Sequence, residues 1–151
     1  MALFGAAIAP MPALAADKVR ITGFSDVPFG VVSVTTDQTL SQSICAYSSA
    51  STGGYWVSAQ GSGSGGAFTL DSGAAQLPYD VYWADSSGQT GGRQLTAGST
   101  ATGFTSAISQ QFCNSGPPTS ASLTIVLRAS VLTGAIAGSY SGTLEITLGP
   151  E

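Results

Sequence analysis

A chain of 151 residues with 43 % apolar and only 8 % charged side chains is long enough to bury one sizeable core, and its bias is the reverse of a disordered chain's. Four basic and eight acidic side chains give a net charge of −4, with no cluster of Lys or Arg. That balance argues against nucleic acid as a partner, because neutralising phosphates needs a basic patch.

The first stretch, MALFGAAIAPMPALA, is an apolar run of small residues closing on Ala13-Leu14-Ala15, the A-x-A pattern of a signal peptide cleaved before Ala16. It has no basic opening segment, which leaves its true start open. Lys18 and Arg20 end the run before the ~20 apolar residues that a membrane-spanning helix needs. Residues 1–15 are therefore expected to be an export signal, and 16–151 one domain. In an oxidising compartment the two cysteines, Cys45 and Cys113, most simply pair with each other.

Downstream, runs of strand length alternate with Gly, Ser, Asn and Pro clusters, and no segment has a helical period. Strands are expected at 18–24, 27–34, 42–48, 55–60, 67–70, 78–84, 92–97, 102–109, 120–129 and 140–148. Short strands at this spacing, with Gly-rich turns, indicate an all-β antiparallel sandwich or barrel. The loops GSGSGG (61–66), SSGQTGG (86–92) and NSGPP (114–118) read as connections between strands rather than domain linkers.

Few residues along the chain invite a chemical reading. Gly61, Gly63 and Gly66 satisfy G-x-G-x-x-G, but a dinucleotide site needs a helix after the glycines, and turn and strand chemistry follows here. In YWVSAQ, alternation puts Tyr55, Val57 and Ala59 on the core side and Trp56 outward, where an indole can stack on a sugar or pack on another protein. Asp80 and Asp85 flank Tyr82 and Trp83 like a glycosidase carboxylate pair. Alternation instead gives Tyr79, Val81 and Trp83 a core face and Asp80 and Tyr82 a solvent face. With no histidine and scattered carboxylates, neither a serine nucleophile with its base nor a metal site is expected, and no cofactor is called for.

The closing stretch AGSYSGTLEITLGPE places Tyr140, Gly142, Leu144, Ile146 and Leu148 on one face and Ser141, Thr143, Glu145 and Thr147 on the other. This is a half-buried strand, and what pairs with its far edge is the question that the sequence poses. Together, the export signal, Phe29-Gly30, the segment Leu77-Pro78-Tyr79-Asp80-Val81-Tyr82 and the ending Gly138-x-Tyr140-x-x-Thr143-Leu144-x-Ile146-x-Leu148 resemble the spore coat protein U-like domain of archaic chaperone–usher pilus subunits.

The resemblance implies an immunoglobulin-like sandwich of seven strands lacking its last one. Tyr140, Leu144, Ile146 and Leu148 would then border a groove filled first by a periplasmic chaperone and, after delivery to an usher, by the N-terminal extension of a neighbouring pilin. Left open, such a groove exposes an apolar patch and an unpaired edge. The implied role is a secreted subunit, periplasmic in transit and then on the cell surface, serving adhesion or biofilm formation on an abiotic surface or a glycan. Val19 and Ile21 are the candidate apolar residues of a donor strand, fewer than the about five that strand donation uses. Two answers to the far-edge question stay open: a strand from another molecule, or the chain's own KVRITGF closing the sandwich. A self-contained carbohydrate- or surface-binding module built on Trp56 is the alternative function, with a polysaccharide hydrolase third.

Overall fold

The computed structural model describes residues 16–114 and 116–151; the expected signal at 1–15 lies outside them. The described residues form antiparallel sheets built from β1 (Val19–Thr22), β2 (Gln38–Ser48), β3 (Gly54–Gly61), β4 (Thr69–Asp71), β5 (Gln76–Pro78), β6 (Asp80–Ala84), β7 (Arg93–Gln94), β8 (Thr100–Thr105), β9 (Ala121–Leu127) and β10 (Leu144–Pro150). One sheet has the order β1-β2-β9-β6-β7, the facing sheet β10-β3-β8, and β4-β5 makes a small ribbon.

Period-two alternation fills the space between the sheets. Ile44 and Ala46 of β2, Tyr55, Val57 and Ala59 of β3, Val81 and Trp83 of β6 and Leu123 of β9 are all buried in one core. Trp83 Nε1 donates to the Tyr55 hydroxyl at 3.1 Å, and Tyr55 also stacks on Phe104 with centroids 5.8 Å apart. The indole and the phenol thus satisfy each other away from water, as buried polar atoms must. Burial pushes the Tyr55 hydroxyl up to about 12; the Trp83 hydrogen bond opposes this and the nearby Asp85 charge adds to it.

Several expected strands change extent, each for a local reason. No strand forms at 27–34: Pro28 has no N–H to give a ladder, and Gly30 sits at φ 66°. Phe29 and Val32 still pack on the core, leaving Val31 and Val34 exposed. The segment 78–84 divides, because the Tyr79 N–H turns to the Phe68 carbonyl (2.9 Å) and separates β5 from β6. The strand expected at 92–97 shrinks to β7. The one at 102–109 becomes β8 and ends where Ser106 leaves the sheet, its N–H on the Gly53 carbonyl. The strand expected at 42–48 begins four residues earlier, at Gln38.

The strand expected at 120–129 ends at Leu127, and a single helical turn, α1 (Ala129–Leu132), follows it where no element was expected beyond residue 129. Its first N–H, from Ala129, is capped by Asp37 Oδ1 at 2.8 Å, an exchange of ladder for cap that periodicity does not signal. The Ala129 N–H and then the Arg128 guanidinium hold the Asp37 carboxyl below its ordinary value.

The connection between β6 and β7 does more than turn. It lies across the outer face of β9 and β2, with the Gly88 N–H on Ser43 Oγ (2.8 Å) and the Gln89 N–H on Ser122 Oγ (3.0 Å). Ser122 Oγ donates to the Ser86 carbonyl (2.8 Å), and Ser41 Oγ to the Gln89 carbonyl. This strap buries Ser122 and Thr124 completely on a face that would otherwise be wet.

Cys45 and Cys113 form a disulfide with their Cα atoms 6.1 Å apart. It pins the connection between β8 and β9 to the outer face of β2, where Ile108 and Tyr47 complete a second small cluster.

Candidate functional site

The last strand is the most unusual place in the fold. Along one edge β10 pairs in unbroken register with β3, from Leu144 opposite Gly61 to Pro150 opposite Tyr55. Along its other edge it has no strand partner among the described residues. Every second N–H and C=O of β10 therefore faces away from the sheet, the condition of an edge strand open to pairing.

Its side chains show the same incompleteness. Tyr55, Val57 and Ala59 on β3 are at most 1 % exposed, whereas Leu144, Ile146 and Leu148, facing the same core, are only partly buried. Glu145 and Thr147 point to solvent. Tyr140 also packs partly buried on the core, its hydroxyl donating to the Ile136 carbonyl at 2.9 Å.

β10 is held at both ends. Upstream, Ser141 bridges to Asp71 through N–H···O bonds of 2.8 and 3.0 Å, and the Thr143 N–H reaches Ser62 Oγ at 3.0 Å. Gly142 fits there because any Cβ would press on the Thr69 carbonyl, Ser62 Oγ and Leu70. Downstream, the Glu151 N–H bonds the Gly54 carbonyl (3.1 Å) and Glu151 Oε2 accepts from the Gly103 N–H (2.6 Å). The expected strand at 140–148 is thus shifted to 144–150, its first residues serving as an anchor to β4 and the β3–β4 turn. A free edge fixed at both ends spends little entropy when it receives a partner.

Val19 and Ile21 lie in β1, which is paired with β2 from Val19 opposite Ser48 to Thr22 opposite Cys45. KVRITGF is accordingly a strand of the first sheet. It approaches β10 across the open side of the sandwich but makes no ladder with it. Val19 and Ile21 add partly buried apolar surface beside Leu144, Ile146 and Leu148.

The remaining sequence candidates disperse. Trp56 points outward on β3 as alternation requires, and its indole takes the space that a Cβ on Gly149, the residue opposite it on β10, would need. Asp80 accepts from Arg128 Nε at 2.7 Å, while Asp85, beyond the other end of β6, accepts from the Thr105 N–H and hydroxyl at 3.1 and 3.2 Å. The two carboxylates are engaged on separate partners and form no acid–base pair. The GSGSGG stretch closes a turn, with the Gly63 N–H on the Ala67 carbonyl at 3.0 Å. A single turn of 3-10 helix, Ser64–Gly66, lies within it, too short to hold a pyrophosphate.

One cluster was missed in the sequence. Arg128 Nη1 binds Asp37 (2.8 Å), its Nε binds Asp80 (2.7 Å) and its Nη2 binds the Tyr82 hydroxyl (2.5 Å). The only signal was that Asp80 and Tyr82 share a face; Asp37 and Arg128 are 91 residues apart.

No protein-family model matches the chain, and no curated protein does. Solved structures do. A chain from a chaperone–tip adhesin complex of CFA/I fimbriae biogenesis superposes with a TM-score of 0.55 at 19 % identity, over 88 % of this chain and 41 % of its own length. A chain from the CsuC–CsuE chaperone–tip adhesion subunit pre-assembly complex of the archaic chaperone–usher Csu pili of Acinetobacter baumannii gives 0.46 at 20 %, over 88 % and 39 %. The chain spans about two-fifths of the length of the structures it matches. What the first likeness shows is a shared fold, the all-β antiparallel sandwich.

Proposed function

We propose that this chain is a subunit of a chaperone–usher-type pilus, of the spore coat protein U-like kind, that accepts a β-strand from a partner along the free edge of β10. The observation that carries the reading is the pairing state of β10: one edge fully laddered to β3, the other without a strand partner among the described residues, with Leu144, Ile146 and Leu148 half-buried beside it. An added strand supplies main-chain hydrogen bonds to that edge, and its alternating side chains cover those three residues. A periplasmic chaperone occupies the edge first and, past the usher, a neighbouring subunit replaces it. The fold shared with a chain of a chaperone–tip adhesin complex supports the same reading. Export by the N-terminal signal and a part in adhesion or biofilm formation belong to the proposal. The chain acts in it as an acceptor, because Val19 and Ile21 are already committed to β2.

The test is a titration of the full chain with synthetic peptides of about a dozen residues carrying about five alternating apolar side chains. A matching peptide is expected to raise Tm and suppress self-association. A soluble monomer whose stability and edge amides no such peptide alters would overturn the proposal.

A second reading is favoured by one observation. Trp56 packs against Gly149 and stays partly exposed, which offers an indole on which a sugar ring could stack in a self-contained binding module. Trp56→Ala is expected to abolish retention on a glycan column with Tm little changed; unchanged retention retires this reading.

A further inference from the structure

On the outer face of the first sheet, away from both the β10 edge and Trp56, a cleft of about 340 Å³ is lined by Thr39, Tyr82, Thr90, Gly91, Gly92, Val126 and Arg128. We propose that this cleft is a binding site for a neutral saccharide residue. Its floor is Val126, only 7 % exposed, and its wall on one side is the part-buried ring of Tyr82. An apolar floor and an aromatic wall suit the C–H faces of a pyranose. The strap between β6 and β7 forms the opposite wall at Thr90–Gly92, where the two glycines leave backbone rather than side chain facing the cavity.

The polar groups are set in advance. Arg128 is held by three partners on two segments, Asp37 ahead of β2 and Asp80 and Tyr82 on β6, at 2.5–2.8 Å. Each of its terminal nitrogens spends one N–H on these contacts, and the second N–H of each has no protein partner among the described residues. A guanidinium so fixed presents donors without further loss of side-chain entropy. Thr39 and Thr90 add exposed hydroxyls that both donate and accept.

Charge selects the ligand class. One guanidinium stands against two carboxylates, so the cluster does not favour an anion, and a phosphate or sialic acid would meet Asp37 and Asp80. Both carboxylates are committed to Arg128, which disfavours a bare cation as well. A neutral polyol that accepts from Arg128 and exchanges hydrogen bonds with the threonines satisfies every group present. The cleft is of the smallest size that ligand pockets adopt, fitting one sugar ring rather than an extended chain. This inference stands apart from strand acceptance at β10, since the two sites share no residue.

The experiment is an NMR titration of the full chain with glucose, galactose, mannose, N-acetylglucosamine and chitotriose, with sialyllactose as the anionic comparison. At least one neutral sugar is expected to shift the Thr39, Thr90–Gly92 and Arg128 resonances saturably by about 20 mM, the millimolar range of a single-ring site. Sialyllactose should bind at least about tenfold more weakly at these residues. Thr39→Trp, which fills the cleft from an exposed position, should weaken binding at least about tenfold with Tm unchanged, and Thr90→Ala should weaken it without blocking the cleft. No shift at these residues with any neutral sugar, binding unaffected by Thr39→Trp, or shifts confined to the Trp56 face would each overturn the proposal.

Discussion

Ile146→Asp is expected to lose both stability and strand capture. Ile146 faces the core from the middle of β10, opposite Ala59. A carboxylate there forfeits the apolar burial and brings a charge beside the half-buried Leu144 and Leu148, a loss of roughly 2–3 kcal/mol. That effect alone would only show that Ile146 packs. The informative comparison is with Thr147→Asp, one residue on and pointing to solvent, which should leave Tm and peptide capture nearly unchanged. Ile146→Ala should keep the fold while weakening capture. Chemical denaturation and peptide titration on the three variants separate the outcomes; equal capture by wild type and Ile146→Ala would count against the groove.

Removing the disulfide is expected to have the largest effect on the free chain. Cys45 and Cys113 are 68 residues apart in sequence, and on the chain-entropy view closing such a loop restricts the unfolded state by about 4 kcal/mol. The double variant Cys45→Ala with Cys113→Ala should lose a large part of that. Residues 106–114 and 116–120, held to the outer face of β2 through Cys113 and Ile108, should exchange their amide protons first. Denaturation under oxidising and reducing conditions checks the claim: reduction should destabilise the wild type and leave the variant untouched.

Much of the sandwich is legible because alternation has a single structural meaning when one face is buried. Tyr55-Trp56-Val57, Tyr79 to Trp83 and Leu144 to Leu148 all take the faces that their period assigns. The method failed where apolar residues are not in a ladder. VPFGVVSV has the composition of a strand, yet Pro28 and the positive φ of Gly30 make it a tether that docks Phe29 and Val32 individually. Which edge of β10 lacks a strand partner among the described residues could not be read from β10 itself. It depends on β1 choosing β2, a choice between partners more than twenty residues apart in sequence. The Arg128 cluster was illegible for the same reason. Its members come from the approach to β2, from β6 and from the end of β9, and only the sheet order β2-β9-β6 brings them side by side.

The strap across β9 and β2 has a consequence for the environment in which such a molecule can work. Its contacts run through serine hydroxyls, backbone amides and backbone carbonyls, with no ionised side chain among them. Ionic screening acts on charges and leaves neutral hydrogen bonds almost untouched. The strap should therefore stay in place from fresh water to brine, whereas the pairs of Arg128 with Asp37 and Asp80 beside it should loosen.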